Sequence, residues 1–155
     1  MTTERTLVLL KPDALQRGLA GTILARLEQR GLRIVGLKLM KMDPQMARRH
    51  YAEHQGKAFF QGLVDFITSS PLVAMVLEGK NAVQVVRNTM GATDPAKAAP
   101  GTIRGDLGLD MGRNLIHGSD SLESAQREIA LFFKDTEIID YPRSLDPWIT
   151  EPVKQ

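Results

Sequence analysis

The sequence predicts a small α/β domain, an α+β sandwich of the ferredoxin-like type, in which helices cover one face of an antiparallel sheet. One observation is the order of predicted elements, β-α-β-α-α-β-α-loop-β-α, whose four strands are too few and too short for a Rossmann or barrel fold. The second is composition. With 155 residues, 43% hydrophobic and 25% charged, the chain fits one domain over 1–155 with its own core.

The first half of the predicted sheet comes from two apolar segments separated by a helix. Residues 5–10 (RTLVLL) form a short buried strand that Pro12 ends. Residues 19–30 place their apolar side chains on one helical face, and Gly31 is a natural C-terminal stop. Residues 32–42 then alternate partly and predict a second strand.

An inserted helical hairpin is predicted before the third strand. Asp43 has the character of an N-cap, and Pro44 suits the first helical position. A helix over 44–54 and another over 59–67 follow. Residues 71–78 are nearly all apolar, which indicates a central strand.

The C-terminal half alternates regular elements with a long loop. Residues 81–90 predict a helix. Residues 92–113 carry several glycines and no clear periodicity, and a loop of that length is usually functional or disordered. A short strand at 115–117 follows, and Ser121 then caps a last helix that extends to Phe133. We expect the tail after Lys134 to be irregular.

Charge and composition exclude several classes of function. A formal net charge of +2 makes no case for nucleic-acid binding. The absence of cysteine excludes a disulfide framework, a thiolate zinc site and a cysteine nucleophile. No stretch approaches the length of a membrane span, and the apolar run 7–10 is too short for a signal peptide. We expect a cytoplasmic protein without a membrane partner.

The stretch NLIHGSDS, residues 114–121, is the first candidate for chemistry. It puts His117 where a strand ends and a helix begins, with a glycine directly after it. On the following helix, Glu128 lies about 40° from Phe132 at the border of the apolar stripe. A carboxylate on one ring nitrogen would fix the tautomer and leave the other nitrogen as a nucleophile. Spacing alone also permits a Glu128 that merely flanks a surface helix.

Three cations lie at loop or element ends: Lys11, Arg87 and Arg104. The chain contains neither a P-loop motif nor a G-x-G-x-x-G motif, so a nucleotide would need side chains to hold its phosphates. Any one of these cations could simply extend its head group into solvent. Together they suggest a phosphate site.

His50 to His54 spell H-x-x-E-H, the inverted zinc-protease signature. At i and i+4 on one helix the two imidazoles could share a metal ion. The alternative is a pair of histidines on a partly solvated helix, because short motifs match by chance.

Seven motifs appear along the chain in a single order: K-P-D (11–13), H-Y-x-x-H (50–54), F-F-x-G-L (59–63), Arg87, G-A-T-D-P (91–95), P-G-T-I-R-G-D (100–106) and N-x-x-H-G-S-D-S (114–121). As a set, these motifs closely resemble those of nucleoside diphosphate kinases, and the resemblance extends from about Thr6 to Glu151.

The resemblance implies a ping-pong transfer of the γ-phosphoryl group from a nucleoside triphosphate to a diphosphate, with low base specificity. His117 would carry the phosphate, Glu128 would orient the ring, and Ser119 would lie near it. The residues that match nucleotide contacts are Lys11 (also catalytic), Tyr51, Phe59, Leu63, Arg87, Thr93, Arg104, Met111 and Asn114. Mg²⁺ would be held mainly by the nucleotide phosphates, with no dedicated protein ligands.

The resemblance also implies a homo-oligomer, a hexamer or a tetramer. Four positions depart from the family pattern: Met111 replaces a common valine beside the base, and Leu107, Leu77 and Thr150 replace aromatic residues. Two other functions remain open at this point, a non-catalytic nucleotide-binding regulator and a zinc hydrolase acting through His50 and His54.

Overall fold

The computed structural model, which describes residues 3–152, contains one four-stranded antiparallel sheet. The strands are β1 (Thr3–Leu10), β2 (Arg33–Met40), β3 (Leu72–Lys80) and β4 (Ile116–Gly118). Their order is β2-β3-β1-β4, and each neighbouring pair is antiparallel. This arrangement confirms the predicted α+β class.

Seven α-helices lie among the described residues: α1 (Pro12–Gln16), α2 (Ala20–Gln29), α3 (Pro44–His50), α4 (Phe60–Ile67), α5 (Ala82–Met90), α6 (Ile103–Leu107) and α7 (Leu122–Phe132). Short 3-10 turns occupy Ala52–His54, Pro95–Lys97, Asp135–Glu137 and Asp146–Trp148. Both predicted N-caps are present. The side chain of Asp43 accepts from the Met46 N–H, and that of Ser121 accepts from the Ser124 N–H.

Helices cover both faces of the sheet, so the expectation of one covered face is wrong. Val8 and Leu10 of β1 pack with α1, α2, α5 and α6, whereas Leu7 and Leu9 pack with α3, α4 and α7. All residues from Thr6 to Leu10 are buried. The uninterrupted apolar run of β1 is therefore the pattern of a strand buried on both sides.

Three local predictions also differ from the structure. Pro12 ends β1 but begins α1, because proline suits a first helical position. The helix expected over 44–54 ends at His50, since Tyr51 leaves the helical conformation (φ −99°, ψ 23°). The long loop contains α6, capped by Thr102. No helix within 3–152 is long and apolar enough to cross a bilayer.

Candidate active site

His117 on β4 and Glu128 on α7 form a hydrogen-bonded pair. Nε2 of His117 lies 2.9 Å from Oε2 of Glu128. An ionised carboxylate only accepts hydrogen bonds, so Nε2 carries the hydrogen and a neutral ring has its lone pair on Nδ1. The side chain of His117 is 26% exposed, whereas that of Glu128 is 8% exposed. The pair therefore leaves part of the imidazole accessible to solvent and keeps its carboxylate inside.

Ser119 holds the other oxygen of this carboxylate. Its Oγ donates to Oε1 of Glu128 at 2.6 Å, and its backbone N–H donates to the Leu7 carbonyl of β1. Burial would raise the pKa of Glu128, but the hydrogen bond and charge of His117 and the hydrogen bond of Ser119 lower it to about 2. Glu128 is therefore ionised at neutral pH and fixed at both oxygens.

A strained backbone turn brings the chain into β4. Leu115 is a non-glycine residue at φ +74° and is fully buried. Its N–H donates to Oδ2 of Asp13 at 3.0 Å, and its carbonyl accepts from the Lys11 N–H at 2.9 Å. Both contacts come from the start of α1, so this helix holds the turn in an uncommon conformation.

Lys11 points into the same region. Its Nζ donates to Oδ1 of Asn114 at 2.8 Å, and Nδ2 of Asn114 donates to the Thr93 carbonyl at 3.0 Å. Burial lowers the pKa of Lys11 to about 8, with a further contribution from the charge of Arg104, while Asp13 opposes the shift. Lys11 therefore remains mostly protonated at neutral pH.

Arg104 is 4% exposed and donates three hydrogen bonds to backbone carbonyls. Nε reaches Asn114, Nη1 reaches Gly91 and Nη2 reaches Ile116, at 3.2, 3.1 and 2.6 Å. Burial, followed by the charge of Arg87, lowers the pKa of Arg104 to about 10. This side chain fixes the loop onto β4 and places a buried positive charge beside the strand that carries His117.

Arg87 on α5 also reaches β4. Its Nη1 donates to the Gly118 carbonyl at 3.2 Å, and the side chain is partly exposed. A Cβ on Gly118 would come within 2.6 Å of Met90 Sδ and 2.9 Å of Val86 Cγ1. Glycine therefore lets α5 approach the strand closely enough to bring Arg87 beside the residue after His117.

A row of aromatic side chains follows His50 along the chain. His54 lies between Tyr51 and Phe59, with ring centroids 6.4 and 5.3 Å away. Phe59 is 53% exposed and free to stack on a planar ligand. Burial raises the pKa of Tyr51 to about 12, aided by the charge of Glu128, so Tyr51 keeps its hydroxyl hydrogen.

The places of Leu63 and Met111 follow from the contacts of neighbouring residues. Leu63 lies one turn after Phe59 on α4, and Met111 is 58% exposed. Two residues after Met111, the guanidinium of Arg113 stacks over the Phe66 ring at 4.1 Å. The loop containing Met111 therefore borders the same helix as Leu63.

The structure separates the two histidines of H-x-x-E-H. His50 ends α3 and turns inward, whereas His54 lies in the following 3-10 turn and contacts Glu53 at 3.7 Å. The helix break at Tyr51 removes the i, i+4 geometry on which the zinc hypothesis depended. Within the described range, the one group of three potential ligands is His50, His117 and Glu128.

Two residues of this region were not singled out from the sequence. Asp13 appeared only as part of K-P-D, and its bond to Leu115 spans 102 positions. His50 was considered only as a partner of His54. Its i, i+3 spacing from the small apolar Ala47 was the signal available in the sequence, and the structure buries both residues.

A family model described as nucleoside diphosphate kinase matches residues 4–138. The nucleoside diphosphate kinase of Desulforamulus reducens is 63% identical over 148 residues, covering 96% of this chain and 99% of the relative. That of Archaeoglobus fulgidus is 59% identical over 148 residues, with 96% and 98% coverage.

Solved structures of nucleoside diphosphate kinases are also similar to this chain. A halophilic nucleoside diphosphate kinase from Halobacterium salinarum in complex with CDP superposes with a TM-score of 0.94 at 56% identity, covering 97% of this chain and 100% of the other. A nucleoside diphosphate kinase family protein from Babesia bovis gives 0.93 at 42% identity, with 95% and 99% coverage.

Proposed function

This chain belongs to the nucleoside diphosphate kinase family, and from that premise we propose how its residues transfer a phosphoryl group. The enzyme moves the terminal phosphoryl group of a nucleoside triphosphate to a nucleoside diphosphate. The single observation that carries the residue-level proposal is the 2.9 Å contact between His117 Nε2 and Glu128 Oε2. It leaves Nδ1 as the nucleophile.

In the first half-reaction, the Nδ1 lone pair of His117 attacks the γ-phosphorus in line. The bond from that phosphorus to the β,γ-bridging oxygen breaks, and the diphosphate leaves with the electron pair. The phosphorylated ring keeps its Nε2 hydrogen and carries positive charge, which Glu128 stabilises through their hydrogen bond. A second diphosphate then attacks the phosphohistidine by the reverse steps, which gives ping-pong kinetics.

Lys11, Arg87 and Arg104 offset the charge of the phosphate oxygens. Phosphoryl transfer depends mainly on positioning and charge stabilisation, so cations at fixed positions supply the main catalytic contribution. Arg87 uses one donor on Gly118 and is partly exposed, which suits a direct phosphate contact. Arg104 uses three donors on carbonyls, so its contribution is its charge together with any remaining N–H.

The remaining contacts hold the rest of the nucleotide. We assign stacking on the base to Phe59, with Leu63 and Met111 beside it, because an exposed aromatic ring accepts any base through its π face. Tyr51, Thr93 and Asn114 would contact the phosphates and ribose, with Ser119 positioning Glu128 from beneath.

Mg²⁺ enters as part of the nucleotide substrate. Mg²⁺ prefers oxygen ligands in octahedral geometry, and the group of His50, His117 and Glu128 offers two nitrogens. The phosphates are therefore the better source of its ligands. We expect the protein to neutralise the Mg²⁺–nucleotide complex rather than to build a separate magnesium site.

Two broader features complete the proposal. We propose a homo-oligomer, hexameric or tetrameric, because the exposed side chains of Leu37 (50%) and Leu39 (68%) on edge strand β2 are a surface that a second copy could cover. We also propose a cytoplasmic location, where nucleoside triphosphates are available.

Phosphoenzyme formation is the direct test. Incubation with ATP labelled at the γ-phosphate should give a protein-bound phosphate that is labile to acid and stable to base, and a diphosphate should discharge it. His117→Ala should abolish the label, whereas His54→Ala should keep it. A His117→Ala enzyme with the wild-type rate would refute the mechanism. Nucleotide binding without any exchange would instead indicate the non-catalytic regulator.

A further inference from the structure

His50 is a buried titratable residue that the proposed mechanism does not use. Its ring packs edge-on against His117 (centroids 4.8 Å apart, 83°) and against Phe132 (5.4 Å, 88°). Nδ1 is buried without a hydrogen-bond partner. It lies 3.5 Å from Oε2 of Glu128, the oxygen that also faces His117. An unpartnered ring nitrogen therefore points at the catalytic pair.

The ligand atoms of His50, His117 and Glu128 all lie within 4.8 Å of one another. In a tetrahedral zinc site with Zn–N bonds of 2.0–2.1 Å, neighbouring ligands are roughly 3.3 Å apart. The observed contacts to Glu128 are 2.9 and 3.5 Å, close to this spacing, and the two imidazoles would move toward each other to close a separation of at most 4.8 Å around an ion. The partly exposed ring of His117 leaves an approach from solvent.

The chemistry of the three groups also suits a transition metal. Two imidazoles and one carboxylate are a ligand set of open zinc sites, whereas Mg²⁺ prefers oxygen. Nδ1 of His50 is buried without a hydrogen-bond partner, so this ring nitrogen is available to an ion. Glu128 supplies negative charge at the same point.

We propose that His50, His117 and Glu128 form a binding site for a divalent transition-metal ion of the Zn²⁺ type, and that occupancy of this site reversibly blocks phosphoryl transfer. The block rests on the proposed function of His117. The metal site itself does not, because it depends only on the three ligands.

The block follows from the histidine tautomer. In the active ring, Nε2 holds the hydrogen and Nδ1 holds the lone pair. An ion on Nε2 uses the lone pair of that nitrogen, so the ring hydrogen moves through solvent to Nδ1. The ring stays neutral, but Nδ1 can no longer attack phosphorus. A chelator that removes the ion restores the original tautomer and hence the nucleophile.

Metal binding is measured first, on the full chain stripped with a chelator and without nucleotide. Co²⁺ alone serves as the probe because its visible absorption reports tetrahedral coordination. The chain has three histidines and no cysteine, so single variants identify the ligands. We expect one ion per chain in the wild type and His54→Gln, and binding at least about 10-fold weaker in His50→Gln. Wild-type-like binding by His50→Gln, or no Co²⁺ bound by the wild type, would overturn the proposal.

A second variant guards against misfolding. His50→Phe keeps a flat apolar ring against Phe132 and removes the ligand nitrogens, and its fold is checked by thermal unfolding. Phosphoenzyme formation is then compared with and without chelator-buffered Zn²⁺ at excess Mg²⁺–ATP. Zn²⁺ should inhibit the wild type and His54→Gln but not His50→Phe. Equal inhibition of all three would overturn the site. A metal-free wild type that forms no phosphoenzyme would refute the proposed function and leave the Co²⁺ result standing.

Discussion

Oε2 of Glu128 lies 2.9 Å from Nε2 of His117, and the other oxygen of this carboxylate accepts from Ser119 at 2.6 Å. Strand β1 holds His117 and Ser119 in place. His117 lies on β4, which pairs with β1, and the Ser119 N–H donates to the Leu7 carbonyl of β1. The nucleophile is therefore oriented by the centre of the sheet rather than by a mobile loop.

Glu128→Gln is expected to lower kcat by about 10²- to 10⁴-fold, the usual range for a group that controls a proton position. The amide can present its N–H₂ to the ring, which favours the tautomer with the hydrogen on Nδ1 and removes the nucleophilic lone pair. Steady-state exchange between ATP and a second diphosphate measures this effect. Ser119→Ala, which keeps the carboxylate, should cost less. Wild-type kcat in Glu128→Gln would contradict the assigned role.

The alkaline limb of the pH profile should report Lys11. Its pKa is lowered from 10.5 to about 8, so its charge is lost as pH rises through about 8. We expect kcat/KM to fall above that pH, and Lys11→Arg to keep its activity at alkaline pH because arginine stays charged. Over the same pH range the free energy of unfolding, in contrast, should rise.

Between pH 8 and 10.5 the unfolded chain binds the Lys11 proton more strongly than the folded chain, so the free energy of unfolding rises with pH. Subtracting the Lys11→Arg curve from the wild-type curve, each from urea titrations at several pH values, isolates this contribution. A flat difference, together with an unchanged alkaline limb, would show that Lys11 does not titrate in this range.

The β2 edge should control assembly. Leu37 and Leu39 expose apolar side chains on an edge strand, where added charge discourages association. Leu37→Lys with Leu39→Lys is expected to give smaller particles by light scattering coupled to size-exclusion chromatography. Gln84→Lys with Asn88→Lys, which adds the same charge to exposed positions of α5, is the matched control. An unchanged mass for the β2 variant would exclude this edge from the interface.

The order and type of most elements could be predicted from the sequence because each has a local signal. The apolar run of β1, the Asp43–Pro44 helix start and the Ser121 cap are examples. Which faces of the sheet are covered could not be predicted this way. A strand buried on both sides lacks the alternation that would show which residues face which layer.

Only part of the candidate site could be predicted from the sequence. The helical wheel placed Glu128 at the border of a buried face, and the structure shows its side chain 8% exposed. Its bond to His117 depends on how α7 packs across the sheet, which residue spacing does not determine. The position of Lys11 at the end of a strand suggested a phosphate contact, whereas the roles assigned to Tyr51 and Phe59 came from the family resemblance. Neither the spacing of residues nor the family resemblance predicted that His50 lies beside His117.

Asp13 should be required for the strained turn that precedes β4. It accepts from the buried Leu115 N–H at 3.0 Å while Leu115 sits at φ +74°. Asp13→Ala leaves that N–H unsatisfied, at a cost of about 1–3 kcal/mol in the free energy of unfolding, and lets Asn114 move away from Lys11. Asp13→Asn keeps an acceptor oxygen, so its stability loss should be smaller and its KM for nucleotide should change less. Urea unfolding and steady-state kinetics on both variants measure the two effects. If Asp13→Ala matched the wild type in stability and KM, the turn would be held by Lys11 and Arg104 without it.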